Sequence, residues 1–247
     1  MQVIKTKSFE LATISKGNVN AEKVVICLPG RLDTKDYINF VSHMDFLSQK
    51  GYYALSFDPP YTWESPGDIN NFTTTNYIKA VNELIEYLGN KPTILLGHSR
   101  GGAIASLVGT DNRYVTAIIT TNESFGTPSP PKKEALEKGI YSTQRDLPPG
   151  DKITDVQKKF VMGLGYFEDG AKYDDAEKLK SCTKPKLIIF SKDDEFNKPE
   201  DVRQVFDSLP EPKELHEVSG THSYRLYPEV VEEVNELIGK FIEKYGL

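Results

Sequence analysis

The stretch KPTILLGHSRGGAIASLVG (residues 91–109) passes from an apolar segment of strand length, through GHSRG at 97–101, into a segment rich in small residues. A serine at a sharp strand-to-helix turn adopts a strained backbone, and glycines two residues before and after it let the flanking strand and helix approach closely. Such a turn holds the Ser99 hydroxyl out of the sheet and aims the first amides of the helix toward it. The pattern predicts a nucleophilic serine at the carboxyl end of a buried strand.

Apolar runs of strand length alternate with amphipathic stretches of helix length over most of the chain. The strand-like runs are KVVICLPG, YYALSFDPP, KPTILLGHS, VTAIITTNES and PKLIIFSKDD, with KELHEVSG as a weaker sixth. Helical periodicity places an apolar face on residues 73–88 and another on the segment that follows Pro228. This alternation is typical of an α/β protein with a mostly parallel sheet and helices on its faces.

One stretch interrupts the alternation. Residues 125–180 carry prolines, glycines and two weak helical patterns, and we expect no strand there. We expect a core domain formed by residues 1–124 and 181–247, with 125–180 as a cap or lid insertion. Because loops at the carboxyl ends of parallel strands bind ligands in such sheets, the insertion is expected to cover the site. The alternative is a peripheral helical excursion without substrate contact.

A serine nucleophile needs a base, and the base needs an orienting carboxylate. His222 lies in the polar loop SGTHSYRLYP, between the last predicted strand and the last helix, and is the candidate base. Asp194 follows the strand-like run PKLIIFS and is our choice for the acid. Asp193 and Glu123 are the alternatives, the latter because it follows the run VTAIITT.

The order Ser99, Asp194, His222, each at the carboxyl end of a strand, resembles the α/β-hydrolase superfamily, in its esterase-like serine-hydrolase branch. The similarity spans nearly the whole chain. The resemblance implies the α/β-hydrolase fold, with a mostly parallel eight-stranded sheet flanked by helices and a small cap insertion after the sixth strand.

The resemblance also implies an oxyanion hole. In such proteins a His-Gly pair after the third strand opens a loop that supplies one backbone amide, and CLPGRLDT is the matching segment here. Pro29 replaces the histidine, whereas Gly30 is kept. By this resemblance, one oxyanion donor is the backbone amide of Arg31, with that of Leu32 as its alternative. The other donor is the backbone amide of Arg100.

Side chains near the predicted site suggest a substrate pocket. The guanidinium groups of Arg31 and Arg100 flank the oxyanion site and could grip a substrate carboxylate or phosphate. Aromatic residues could line an acyl pocket, although in such segments they often only hold a cap to the sheet. The pocket candidates are Leu32, His98, Trp63 and Phe125.

The leading hypothesis is a serine hydrolase, a carboxylesterase that forms an acyl-enzyme intermediate on Ser99. The same triad would serve a thioesterase, an amidase or a carbon–carbon bond hydrolase, because fold and triad do not determine the bond that is cleaved. A hypothesis of another class is a noncatalytic binding protein on a hydrolase scaffold, although such proteins usually lose a triad member.

The composition of the chain limits the classes of partner that we expect. The formal net charge is −6 and the basic residues are dispersed, so nucleic acid is not an expected partner. No apolar run is long enough to cross a bilayer and no secretory signal pattern is visible, so we expect a cytoplasmic protein with a small-molecule acyl substrate. Both cysteines lie beside apolar runs and are expected to be buried. The histidines and cysteines form no known ligand motif, so we expect neither metal nor cofactor.

Overall fold

Ten strands, eight α-helices and two short 3-10 helices make up the computed structural model, which describes residues 2–247. The strands are β1 (Gln2–Lys5), β2 (Glu10–Lys16), β3 (Val24–Leu28), β4 (Tyr53–Phe57), β5 (Thr93–His98), β6 (Val115–Thr121), β7 (Ile140–Asp146), β8 (Gln157–Gly163), β9 (Lys186–Ser191) and β10 (Lys213–Val218). The helices are α1 (Ile38–Gln49), α2 (Thr74–Tyr87), α3 (Arg100–Asp111), α4 (Lys133–Lys138), α5 (Gly165–Gly170), α6 (Asp175–Leu179), α7 (Pro199–Ser208) and α8 (Pro228–Tyr245).

Eight of the strands form one sheet in the order β1-β2-β4-β3-β5-β6-β9-β10. The β1–β2 and β2–β4 pairs are antiparallel, and the five remaining pairs are parallel. Parallel neighbours present their carboxyl ends at the same edge of the sheet, so the residues that follow β3, β5, β6, β9 and β10 meet there. The prediction of a mostly parallel eight-stranded sheet flanked by helices is confirmed.

The sheet is buried on both faces, which explains why its central strands are apolar throughout. Successive side chains of a strand point to opposite faces. On β3, Val24, Ile26 and Leu28 enter one apolar layer, which α2 and α3 cover. Val25 and Cys27 enter the other layer, which α1 and α8 cover. These two layers hold the sheet rigid, and the loops at its carboxyl edge are built on that rigid support.

Helix ends follow signals that the sequence carries. The Thr73 hydroxyl oxygen accepts a hydrogen bond from the Asn76 amide at 3.1 Å and caps the start of α2. Pro228 begins α8, and Gly246 ends it with a left-handed φ of 62°. Among the helices of residues 2–247, none combines the length and the apolar character that a membrane crossing requires.

The expectation that residues 125–180 contain no strand is wrong. β7 and β8 pair in antiparallel fashion, from Ile140 opposite Gly163 to Asp146 opposite Gln157. Most side chains of β7 are exposed or half-buried, so no continuous apolar run in the sequence indicates this strand. Helices α4, α5 and α6 lie in the same segment.

Candidate active site

Ser99 lies at the turn between β5 and α3 with φ 52° and ψ −122°, a conformation that costs free energy for a residue with a side chain. Both flanking glycines are required by contact. A Cβ atom at Gly97 would overlap the Gly101 backbone, and one at Gly101 would overlap the Leu28 carbonyl. The strained turn therefore depends on the two glycines that first indicated it.

Three side chains that are remote in sequence form a continuous hydrogen-bonded chain. The Ser99 Oγ atom lies 2.8 Å from His222 Nε2, and Asp194 Oδ2 lies 2.8 Å from His222 Nδ1. With the ring proton on Nδ1, the imidazole donates to the carboxylate and accepts from the serine hydroxyl. This is the arrangement in which an imidazole can remove the serine proton.

Asp194 is held as an anion by its surroundings. Burial by itself would raise its pKa, but the hydrogen bond with His222 and the nearby imidazole lower that pKa below its usual range. The backbone amides of Phe196 and Asn197 also donate to its Oδ1 atom, at 2.8 and 3.1 Å. A carboxylate with several donors keeps its charge and its orientation.

The alternative acids do not contact the imidazole. Asp193 is exposed on the turn after β9. Glu123 is buried behind α3, where its Oε1 atom accepts a hydrogen bond from Ser106 at 2.7 Å. Burial and the neighbouring Asp175 carboxyl raise the pKa of Glu123 well above its usual range. The structure thus brings Asp194 to His222, and neither alternative.

The main chain of His222 is fixed by Glu195, Asn122 and His98, of which the sequence indicated only His98, as a pocket residue. Its amide donates to Glu195 Oε2 at 3.0 Å. Its carbonyl oxygen lies 2.9 Å from His98 Nε2 and accepts from Asn122 Nδ2, also at 2.9 Å. The Phe196 ring packs edge-on against the imidazole, with ring centres 4.8 Å apart. The only local signal for Asn122 was its place at the end of a strand.

The backbone amides predicted for the oxyanion hole border Ser99. Arg100 is the first residue of α3, and a Cβ atom at Gly30 would lie 3.3 Å from the Ser99 Cβ, so the loop after β3 runs against the serine. Within residues 2–247, the amides of Arg31, Leu32 and Arg100 donate to no other protein group. Amides in this state are available to a negatively charged oxygen.

A cavity of about 610 Å³ opens beside Ser99 and His222. Of the pocket candidates, His98 and Phe125 line it. Leu32 and Trp63 do not line it, and the indole N–H of Trp63 donates to the Leu32 carbonyl at 2.9 Å. The positive φ of Leu32 turns the loop so that its side chain is fully buried.

Comparison with known proteins agrees with the fold. The family model for the alpha/beta hydrolase fold matches residues 23–144. The chain belongs to the α/β-hydrolase superfamily. A search of curated protein sequences gave no match to this hydrolase.

Solved structures resemble the hydrolase over nearly its whole length. Est1E from Butyrivibrio proteoclasticus, solved with ferulic acid bound, has a TM-score of 0.78 at 18% identity, covering 99% of this chain and 98% of its own. The alpha/beta hydrolase GrgF from Penicillium sp. sh18 has a TM-score of 0.79 at 15% identity, covering 98% and 97%. The monoacylglycerol lipase of Paleococcus ferrophilus has a TM-score of 0.74 at 19% identity, covering 94% and 98%. At these identities the likeness shows the fold alone.

An ionic network links β7, within residues 125–180, to both sides of the site in this hydrolase. Arg145 of β7 donates to the Arg31 carbonyl from Nε at 3.1 Å and from Nη2 at 2.9 Å. Its Nε atom also lies 3.4 Å from Asp33, whose other oxygen lies 3.4 Å from His98 Nδ1. Burial would raise the pKa of Asp33, but the hydrogen bond with His98 and the charges of Arg145 and Arg225 lower it to about 2.

The two arginines of the predicted oxyanion site differ in environment. The Arg100 side chain is buried, and its Nη2 atom donates to the Thr74 hydroxyl at 2.8 Å. The Arg31 side chain is half-buried on the cavity wall. Both arginines flank the predicted oxyanion site in the sequence, but their side chains have different neighbours in the structure.

Proposed function

We propose that this hydrolase cleaves a carboxylic ester through an acyl-enzyme intermediate on Ser99. The observation that carries the proposal is the hydrogen-bonded chain from Ser99 Oγ through His222 to Asp194, with both links at 2.8 Å. Membership in the superfamily supports a hydrolase, and the cavity beside Ser99 offers room for a small-molecule substrate.

In the first half of the reaction, Ser99 Oγ attacks the ester carbonyl carbon as His222 Nε2 accepts the hydroxyl proton. The carbonyl oxygen becomes an anion, which the backbone amides of Arg31 and Arg100 would stabilise. Asp194 stabilises the imidazolium that has formed. The carbon–oxygen bond then breaks, and the alcohol leaves with the proton that His222 returns.

In the second half, water replaces the alcohol. His222 removes one proton from the water as its oxygen attacks the acyl carbon, and the same two amides hold the new oxyanion. The bond to the serine oxygen breaks, Ser99 regains its proton, and the carboxylic acid is released. Because loss of one oxyanion donor typically costs on the order of a hundredfold in rate, the amides are as much part of the site as the side chains.

The proposal includes a role for residues 125–180 as a cap on the core formed by residues 1–124 and 181–247. Three observations support it: Phe125 and Tyr166 line the cavity, and Arg145 bonds to the loop beside Ser99. An insertion in this position would exclude water from the reacting atoms and shape the pocket.

The direct test replaces Ser99 by alanine and measures hydrolysis of a short-chain 4-nitrophenyl ester beside a matched thioester and a matched amide. Ser99→Ala is expected to lower ester turnover by at least about a thousandfold, because covalent catalysis is lost. Labelling by a fluorophosphonate probe should disappear in the same variant.

The matched control is Ser208→Ala, an exposed serine at the end of α7. This variant should keep both turnover and labelling. Retained ester turnover in Ser99→Ala would reject the proposal, and faster turnover of the thioester or the amide in the wild type would reject the ester assignment.

A further inference from the structure

The Arg31 guanidinium lies against three aromatic rings of the cap. Its central carbon is 5.1 Å from the ring centre of Tyr141, 6.0 Å from that of Tyr166 and 5.9 Å from that of Phe167. These distances are in the range of cation–π attraction. Contacts of this kind hold the cation in one place while its N–H donors stay available for a planar anion.

In the part of the chain that the structure describes, Arg31 has no counter-ion. Within residues 2–247, its guanidinium makes neither an ion pair nor a hydrogen bond, although it lies on the wall of the cavity that contains Ser99. Asp33, only two residues away, is engaged by Arg145 and His98 instead. The nearest carboxylate in sequence is therefore not available to neutralise Arg31.

The other arginines on the cavity wall are already engaged. Arg145 bonds to the Arg31 carbonyl and to Asp33. Arg225 forms an ion pair with Asp146. Arg100, as described above, is buried and donates to Thr74. Among the cavity arginines of the described chain, Arg31 is the one whose guanidinium makes neither an ion pair nor a hydrogen bond, since Arg100, which also lacks an ion pair, donates to Thr74.

We infer that Arg31 binds a carboxylate carried by the substrate, so that the preferred substrates are acidic esters. The inference rests on the proposed function, because it places this carboxylate in the same cavity as the ester that Ser99 attacks. A guanidinium matches the two oxygens of a carboxylate in one plane, and such charge-assisted pairs give both orientation and binding. The overall negative charge of the chain does not oppose this, since recognition depends on the local cation.

The activity test compares acidic and neutral esters of the same shape. In the first pair the charge is on the acyl side. Its acidic member is mono-4-nitrophenyl glutarate, and its neutral member is the same ester with the free carboxyl group methylated. The second pair carries it on the leaving group: 3-acetoxybenzoate and its methyl ester. For at least one pair, the wild type is expected to prefer the acid by about ten- to a hundredfold in kcat/KM.

Replacement of Arg31 by methionine should abolish that preference. The measured quantity is the ratio of kcat/KM for the acid to that for the neutral ester, because any disturbance of the Arg31 amide lowers both values alike. Arg31→Lys should retain part of the ratio, since lysine keeps the charge but loses the planar pair of donors.

Arg113→Met is the matched control. Arg113 is also stacked on a tyrosine, with its central carbon 4.7 Å from the Tyr114 ring centre, but it is exposed and does not line the cavity. Its removal takes away the same charge from the chain as a whole. The preference for acidic esters should remain in this variant.

A binding measurement separates this inference from the proposed function. Calorimetry with monomethyl glutarate, in the Ser99→Ala background, should show binding that Arg31→Met weakens by about tenfold or more. If no ester is hydrolysed but this difference appears, the proposed function fails and the anion site stands. If esters are hydrolysed but Arg31→Met leaves both ratios and the binding unchanged, the inference is overturned.

Discussion

Replacement of Arg145 by methionine tests whether β7 organises the oxyanion site that we propose. The Arg145 side chain is about one quarter exposed and donates two hydrogen bonds to the Arg31 carbonyl, at 3.1 and 2.9 Å. These bonds orient the peptide group beside the amide that we propose as an oxyanion donor. Arg145 does not reach the reacting atoms through this contact, so it acts as a positioning residue.

The magnitude follows from the bonds that are lost. A hydrogen bond from a charged donor typically contributes about 1.5–3 kcal/mol, so two of them hold the loop against most thermal displacement. Complete loss of one oxyanion donor costs about a hundred- to a thousandfold in kcat. Because Arg145→Met loosens the Arg31 amide without removing it, we expect kcat to fall by about ten- to a hundredfold and KM for a neutral ester to change little.

The assay is steady-state hydrolysis of 4-nitrophenyl butyrate, with thermal denaturation of each variant alongside. Arg145→Lys should recover part of the lost kcat, because an ammonium can still donate one hydrogen bond to the Arg31 carbonyl. Lys159→Met is the matched control, an exposed cation on the neighbouring strand β8. An unchanged kcat in Arg145→Met, or an equal fall in Lys159→Met, would refute the reasoning.

Two further predictions concern carboxyl groups. Asp194→Asn should lower kcat by about a thousand- to ten-thousandfold and slow fluorophosphonate labelling, because the imidazole loses its orienting acceptor, whereas Asp193→Asn on the exposed turn should not. Asp175 is buried against Glu123, and burial raises its pKa from 3.8 to about 6. The folded chain thus holds the Asp175 proton more tightly than the unfolded chain does. The stability that this proton contributes is fully present below the pKa of Asp175 in the unfolded chain, and it is lost as pH rises through about 6. The melting temperature of Asp175→Asn relative to wild type should therefore rise between about pH 4 and pH 7, by the equivalent of about 1 kcal/mol or more. Glu177→Gln, an exposed change on the same helix, should show no such trend, and a trend of opposite sign for Asp175→Asn would contradict the assignment.

Much of the fold could be predicted because it rests on local patterns. Strands buried on both faces are continuously apolar, so β3, β5 and β9 stand out in the sequence. The turn at Ser99 stands out because only glycine fits at Gly97 and Gly101, where a side chain would overlap the neighbouring backbone. The hairpin β7–β8 could not be recognised, since a strand with few buried side chains has no such pattern.

The candidate site was predictable only in part. Ser99 and His222 could be proposed because each lies in a short turn after a predicted strand. The choice among Asp194, Asp193 and Glu123 depended on which carboxylate faces the imidazole, and only the tertiary structure could show that contact. Motif position favoured Asp194, but adjacent residues on one turn point in different directions, so the contact itself is visible only in the structure.

By itself, the sequence determined the alternation of strands and helices, the strained serine turn and the apolar layers, because each depends on residues close together along the chain. Only the tertiary structure decided the partners of the charged groups. Arg31 and Arg100 look equivalent in the sequence, yet among the described residues the half-buried Arg31 guanidinium has no polar partner, whereas that of Arg100 is buried and donates to Thr74. The physical reason is that a charged side chain binds the polar groups that the fold brings within a few ångströms, and the Arg31 carbonyl to which Arg145 donates lies 114 residues away in the sequence.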